Sequence, residues 1–309
     1  MDLFLDLRNE LVEYFQKYDE DFSIEKYVQP IPDFDCNSKE NDTEKELNKH
    51  RYEASILLER YINYKKRNLL TSEKKTVYKS KELQDSITKK SFSDDIMSTI
   101  NKIEEELEKG LSVSPRLSKR VKDISYDDKM LNDWNIYHFH LSDIDDVKSG
   151  FKQRTGELLF VYIPDKTSAY FLDVTMNHKD KTVFSNIELL NLIDENWPSL
   201  LDDFVIERAT NFNNVIKSKE DCLDFRDENI NGIVQLRATK RYIIPVGWGL
   251  TAAGTSVLNK AKQNKIVTEI QHQEKILSKY ENIKLYLQDD IIIIKNISEN
   301  QVLYKLPID

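Results

Sequence analysis

The sequence predicts an α+β protein, with a charged helical region over residues 1–130 followed by a mixed α+β region over 131–309. The second region is expected to hold a central β-hairpin and a C-terminal β-meander. Three observations carry this. Apolar residues recur at helical spacing in the first 130 positions, beginning with Leu3, Leu7, Leu11 and Phe15. From about residue 130 the period drops to two. The last runs, KLYLQDDIIIIKN and QVLYKLP, are short, β-rich and separated by turn residues.

Each element follows from local pattern. Residues 3–18 place Leu3, Leu5, Leu7, Leu11, Val12 and Phe15 mostly on one helical stripe. A loop is expected around Pro30, Pro32 and the polar run 35–43. The segment EKELNKHRYEASILLERYINYKKRN reads as a long helix burying Tyr52, Ala54, Ile56, Leu57, Tyr61 and Tyr64 on one face. A further helix ends near Gly110, before the turn Ser112–Pro115. NIYHFHL, residues 135–141, alternates as a strand. GELLFVYI and AYFLDVTM, joined by PDKTS, read as the hairpin. NIELLNLIDENW is a helix stopped by Pro198, and a last long helix is expected from about Thr251 to Tyr280.

Composition excludes several classes of function. Lys+Arg of 45 against Asp+Glu of 54 gives a net charge of −9, which argues against binding nucleic acid through bulk charge. Two cysteines, Cys36 and Cys222, rule out a disulfide framework and a Cys-rich zinc module, so a reducing cytoplasm is expected. The acidic, amphipathic start MDLFLDLRNELVEYF has no basic n-region, so no signal peptide is expected. No run approaches the ~18 apolar residues of a membrane span, so no membrane partner is expected.

Candidate chemistry centres on histidine. His138 and His140 are two apart on a strand, so both imidazoles point to one face and Tyr137, Phe139 and Leu141 to the other. The bulky set is expected against the core, leaving the imidazoles on a more polar surface. His178 lies just past the hairpin. Two mechanisms would use this cluster. In one, His138, His140, Asp173 and His178 ligate a divalent metal, with Asp143, Asp145 and Asp146 close by. In the other no metal or cofactor is needed. A histidine moves a proton on a ribose hydroxyl while Arg154, with Lys152 beside it, neutralises phosphate.

Two further segments are candidates. PVGWGLTAAGTS places Gly247 and Gly249 before a helix that Thr251 could cap, either as an anion loop or as a tight structural turn. Residues 60–90 hold ten Lys/Arg against three acids. Lys65, Lys66, Arg67, Lys74 and Lys75, interleaved with Tyr61, Tyr64 and Tyr78, could hold an RNA strand, or could form a solvated charged face.

The stretch FKQRTGELLFVYIPDKTSAYFLDVTMNHKDKTVF, residues 151–184, resembles the C-terminal half of the RelE/ParE-type toxin core. Arg154, the strand Leu158 to Ile163, the strand Tyr170 to Val174, and His178-Lys179 match that pattern in order. The resemblance covers about a tenth of the chain. It implies an endoribonuclease of toxin–antitoxin type, with Arg154 holding phosphate and His178 in proton transfer. The function expected is therefore a cytoplasmic, metal-free endoribonuclease of toxin or phage-defence type acting on RNA, with a protein partner or inhibitor on its N-terminal helices. A non-catalytic assembly protein and a metal-dependent nuclease built on the two strand histidines are the alternatives.

Overall fold

The structure is a computed structural model, and it describes residues 1–19, 21–28, 41–68, 70, 73–176, 180–207, 212 and 215–308. The architecture is α+β. It divides into two compact units, Met1–Lys65 together with Asn259–Asp309, and Lys66–Leu258. The division falls at residues 65 and 258, where a boundary near 130 had been expected. The reason is non-local pairing: residues 76–79, inside the expected helical region, form a strand of the central sheet.

The first unit joins the two ends of the chain. It begins with α1 (Leu3–Gln16), the short α2 (Ile24–Tyr27) and the long α3 (Asp42–Asn68), whose last residues enter the second unit. Asp2 caps α1 by accepting the Leu5 N–H at 2.8 Å. The predicted stripe is buried at Leu3, Leu7, Leu11 and Phe15, and the Tyr14 and Tyr61 rings meet edge-on at 4.7 Å.

The second unit runs through β1 (Thr76–Lys79), α4 (Lys81–Thr88), α5 (Asp94–Glu108) and α6 (Lys129–Trp134). It continues with β2 (Ile136–His140), β3 (Asp145–Asp146), β4 (Phe151–Lys152), β5 (Leu158–Tyr162) and β6 (Ser168–Thr175). Then come α7 (Glu188–Asn196), β7 (Val215–Ile216), α8 (Lys219–Asp227), β8 (Ile233–Gln235) and β9 (Tyr242–Ile243). The chain returns to the first unit along α9 (Val257–Leu277), and β10 (Ile283–Gln288), β11 (Ile291–Asn296) and β12 (Gln301–Pro307) form the antiparallel meander. Its edge strand β10 is closed by α1. Asp6 and Glu10 accept the Leu285 and Leu287 N–H groups, each at 3.0 Å.

The central sheet has the order β1-β6-β5-β2, with β1 parallel to β6 and the other pairs antiparallel. Both of its faces are covered. Tyr137, Phe139, Leu159, Val161 and Phe171 pack on a cluster that includes Ile100 and Ile103 of α5. Ile136, Phe160, Tyr162 and Leu172 pack on a second cluster with Trp134 and Leu189. β2 and β5 are therefore buried along their whole length. The imidazoles of β2 do not lie on a polar surface as expected. They border the second core.

No helix among the described residues is long and apolar enough to cross a membrane.

Candidate functional site

Local structure brings the histidines to one end of α6. Asp128 caps that helix, its Oδ1 accepting the Leu131 N–H at 3.0 Å. Asn135 ends it in the left-handed conformation, φ 56°, and its amide donates to the Ile163 carbonyl at 2.6 Å. That reversal feeds straight into β2 and turns His138 back toward the start of α6. His138 Nδ1 lies 3.9 Å from Asp128 Oδ2, and its ring is 5.0 Å from that of Phe184.

Here the surface opens into a cleft of about 450 Å³, within the range of ligand sites. His138 and His140 form part of its wall, 8% and 5% exposed. Arg154, Ser118, Arg120 and Tyr126 also line it, with Met130, Leu158 and Phe184 as an apolar wall. Arg154 is exposed and its Nη2 donates to Ser118 Oγ at 3.4 Å. Three residues proposed from sequence, His138, His140 and Arg154, thus share one cleft.

The charges around the imidazoles are organised. Burial, reinforced by the Asp128 carboxylate, pushes the Tyr126 phenol well above its usual range, so it stays a donor, 3.4 Å from Asp128 Oδ2. Arg120 stands 4.3 Å over the Tyr126 ring. Arg226 is buried against Trp134, 4.0 Å from the ring, and its Nε donates to Asp133 at 2.8 Å. Asp133 is enclosed, and burial pushes its carboxyl up against the opposing pull of Arg226.

The other proposed residues are placed elsewhere. His178 lies outside the described residues. Asp173 sits on β6 opposite Phe160, and Phe160 is itself opposite His138. Two strand spacings, about 9–10 Å, therefore separate Asp173 from His138, with the Phe160 strand between them. Burial raises the Asp173 carboxyl, which accepts the Val174 N–H at 2.8 Å. Among the described residues no group of three or more His, Cys, Asp or Glu is placed to hold a metal ion. The neighbouring carboxylates have other partners: Asp143 binds Arg116 at 2.8 Å, Asp145 binds Lys152 at 2.6 Å, and Asp146 binds Lys119. Lys152 also donates to the Asp143 carbonyl and does not line the cleft.

The basic segment is not one patch. Lys65 pairs with Asp290 at 2.8 Å in the first unit. Arg67 is buried and donates to the Asp123 carbonyl at 3.1 Å; burial lowers its pKa, against the pull of Asp127 and Asp128. Lys75 is buried on the Lys166 carbonyl at 2.6 Å, Lys66 is half-buried, and Lys74 is exposed. Tyr61 and Tyr64 are buried and Tyr78 stacks on Tyr170 at 4.9 Å.

The glycine loop is a structural turn. Gly247 donates to the Asp133 carbonyl at 2.7 Å, and a Cβ there would stand 2.4 Å from the Asn132 carbonyl oxygen. Gly249 has φ +83° and faces Asn231, whose side chain brackets Leu250 by accepting its N–H and donating to its carbonyl. Thr251 bonds Thr255 instead of capping α9, which starts at Val257.

Ser118, Arg120, Tyr126 and Asp128 were not among the residues singled out from sequence. Only Asp128 carried a readable signal, as a helix cap before an apolar run in SYDDKMLNDW. No protein-family model, curated protein or solved structure matches the chain.

Proposed function

We propose that this cleft cleaves RNA by proton transfer between His138, His140 and the ribose phosphate. The observation that carries the reading is the convergence of both imidazoles and Arg154 on one cleft. Side chains two apart on a strand are spaced about 7 Å along it. That span suits two imidazoles flanking one phosphorus, each within hydrogen-bond reach of an oxygen. One imidazole takes the proton of the 2′-hydroxyl as its oxygen attacks phosphorus. The other gives a proton to the departing 5′-oxygen, leaving a 2′,3′-cyclic phosphate. Arg154 neutralises the negative charge that builds on the phosphoryl oxygens. A toxin or phage-defence setting inside the cell, with RNA as the partner, belongs to the same proposal.

The test is incubation of the full chain with single-stranded RNA and with DNA of the same sequence, each with and without EDTA. RNA alone should be cut, EDTA should leave the rate unchanged, and the product should carry 2′,3′-cyclic ends. His138→Ala and His140→Ala should each lower the rate roughly 10²- to 10⁴-fold. Equal cutting of DNA, or a double His variant as active as the parent, would overturn the proposal.

A further inference from the structure

Most of the arginines among the described residues are committed to carboxylates. Arg8, Arg51, Arg116, Arg226, Arg237 and Arg241 each lie within salt-bridge distance of one. No acidic side chain among the described residues reaches that distance from Arg120 or Arg154. Both are exposed, and both line the cleft that holds His138 and His140.

They also meet at one hydroxyl. The Arg120 backbone N–H and Arg154 Nη2 each donate to Ser118 Oγ at 3.4 Å. A serine oxygen has two lone pairs and one proton, so two incoming donors leave its O–H to point at a third group. That third group has to be an acceptor. The Arg120 guanidinium lies over the Tyr126 ring, 4.3 Å away, and both residues line the same cleft. Two planar guanidinium forks and one hydroxyl supply donors that suit the several acceptor oxygens of a phosphate, on a wall of the cleft whose lining also includes Asp127, Asp128 and Asp227.

We propose that Ser118, Arg120 and Arg154 form a phosphate-binding fork at the cleft, and that its ligand is the phosphate of a single-stranded nucleotide. The proposal rests on the RNA-cleaving reading for the identity of the ligand, and it adds Ser118 and Arg120 to the site. Depth decides between single and double strands. The imidazoles are almost wholly enclosed while the arginines are exposed. A nucleotide held by the fork can reach His138 only by leaving a base-paired stack. Its nucleoside then lies on the apolar wall of Met130, Leu158 and Phe184.

Calorimetric titration of the full chain at low salt tests this without turnover, using uridine 3′-monophosphate, inorganic phosphate and a short RNA duplex as probes. The nucleotide should bind, more tightly than inorganic phosphate and with an affinity that falls as salt rises. Arg120→Ala and Arg154→Ala should each weaken it roughly ten- to a hundred-fold. Arg154→Lys should recover only part of the loss, because the planar fork is gone. Ser118→Ala should cost less than either arginine, and thermal melts of all variants should match the parent. No binding by the parent, Arg120→Ala binding like the parent, or equal affinity for nucleotide and inorganic phosphate would overturn the proposal, as would duplex binding as tight as the nucleotide's. The two readings fail separately. Nucleotide binding through the fork without RNA cleavage removes the nuclease and keeps the fork. RNA cleavage with both arginine variants binding and cutting normally does the reverse.

Discussion

Replacing Arg226 by Met probes the wall of the cleft. Arg226 and Asp133 are 4% and 6% exposed, joined at 2.8 Å, and Arg226 also donates to the Phe184 carbonyl. Met fills much of the same volume but leaves the Asp133 carboxylate stranded, which costs about 3–5 kcal/mol. The lost contact with the Trp134 ring adds about 0.5–2 kcal/mol. A total of about 3.5–7 kcal/mol is a large part of the ~5–15 kcal/mol that holds a typical domain. Adding Asp133→Leu removes the stranded charge, so the double variant should be more stable than Arg226→Met alone. The effect also depends on pH. Burial already holds the Asp133 carboxyl above its usual range, and without Arg226 nothing opposes it. A folded pKa above the unfolded value means that the folded state keeps the proton longer. The variant's stability therefore falls as pH rises from about 4 toward the folded pKa, and its deficit should be larger at pH 8 than at pH 5. Urea unfolding followed by tryptophan fluorescence measures this cleanly, because Trp134, Trp197 and Trp248 all lie in the second unit. A deficit below about 1 kcal/mol, one unchanged between pH 5 and pH 8, or a double variant worse than the single one would refute the reasoning.

Gly247→Ala should destabilise the second unit by about 1–3 kcal/mol, because the new methyl meets the Asn132 carbonyl oxygen; a melting temperature equal to the parent's would refute that close approach. Lys75→Glu should cost on the order of 3 kcal/mol, since it sets a carboxylate against the Lys166 carbonyl in a buried position. Exposed Lys74→Glu should stay within about 0.5 kcal/mol, and equal melting of the two variants would show that the basic segment is a solvated face after all.

Elements set by short-range pattern were legible in the sequence. The alternation of NIYHFHL became β2, the hairpin became β5 and β6, NIELLNLIDENW became α7, and the meander became β10 to β12. Elements set by distant partners were not. TVYK, residues 76–79, is a strand because β6 lies beside it, and its lysine-rich surroundings hide that. The polarity of His138 and His140 hinted at an exposed face, but both are buried where the cleft borders the second core. Histidine rarity drew attention to one wall of the cleft. Arg120 and Tyr126 looked like any charged loop, since only folding shows which arginines lack a carboxylate partner. Lys152 is the converse case: Asp145, seven residues earlier, pairs with it across the β3–β4 pair, outside the cleft lining.

The union of both chain ends in one unit has a consequence for synthesis. α1 and α3 are synthesised well before β10, whose amides Asp6 and Glu10 occupy. Residues 66–258 are made in between, roughly 10–40 s of elongation at ~5–20 residues per second. At the end of that interval the second unit has every strand of its own sheets, while the stripe of Leu3, Leu7, Leu11 and Phe15 still lacks its meander. The second unit can therefore close its sheets while the apolar stripe of α1 still waits for β10 to cover it.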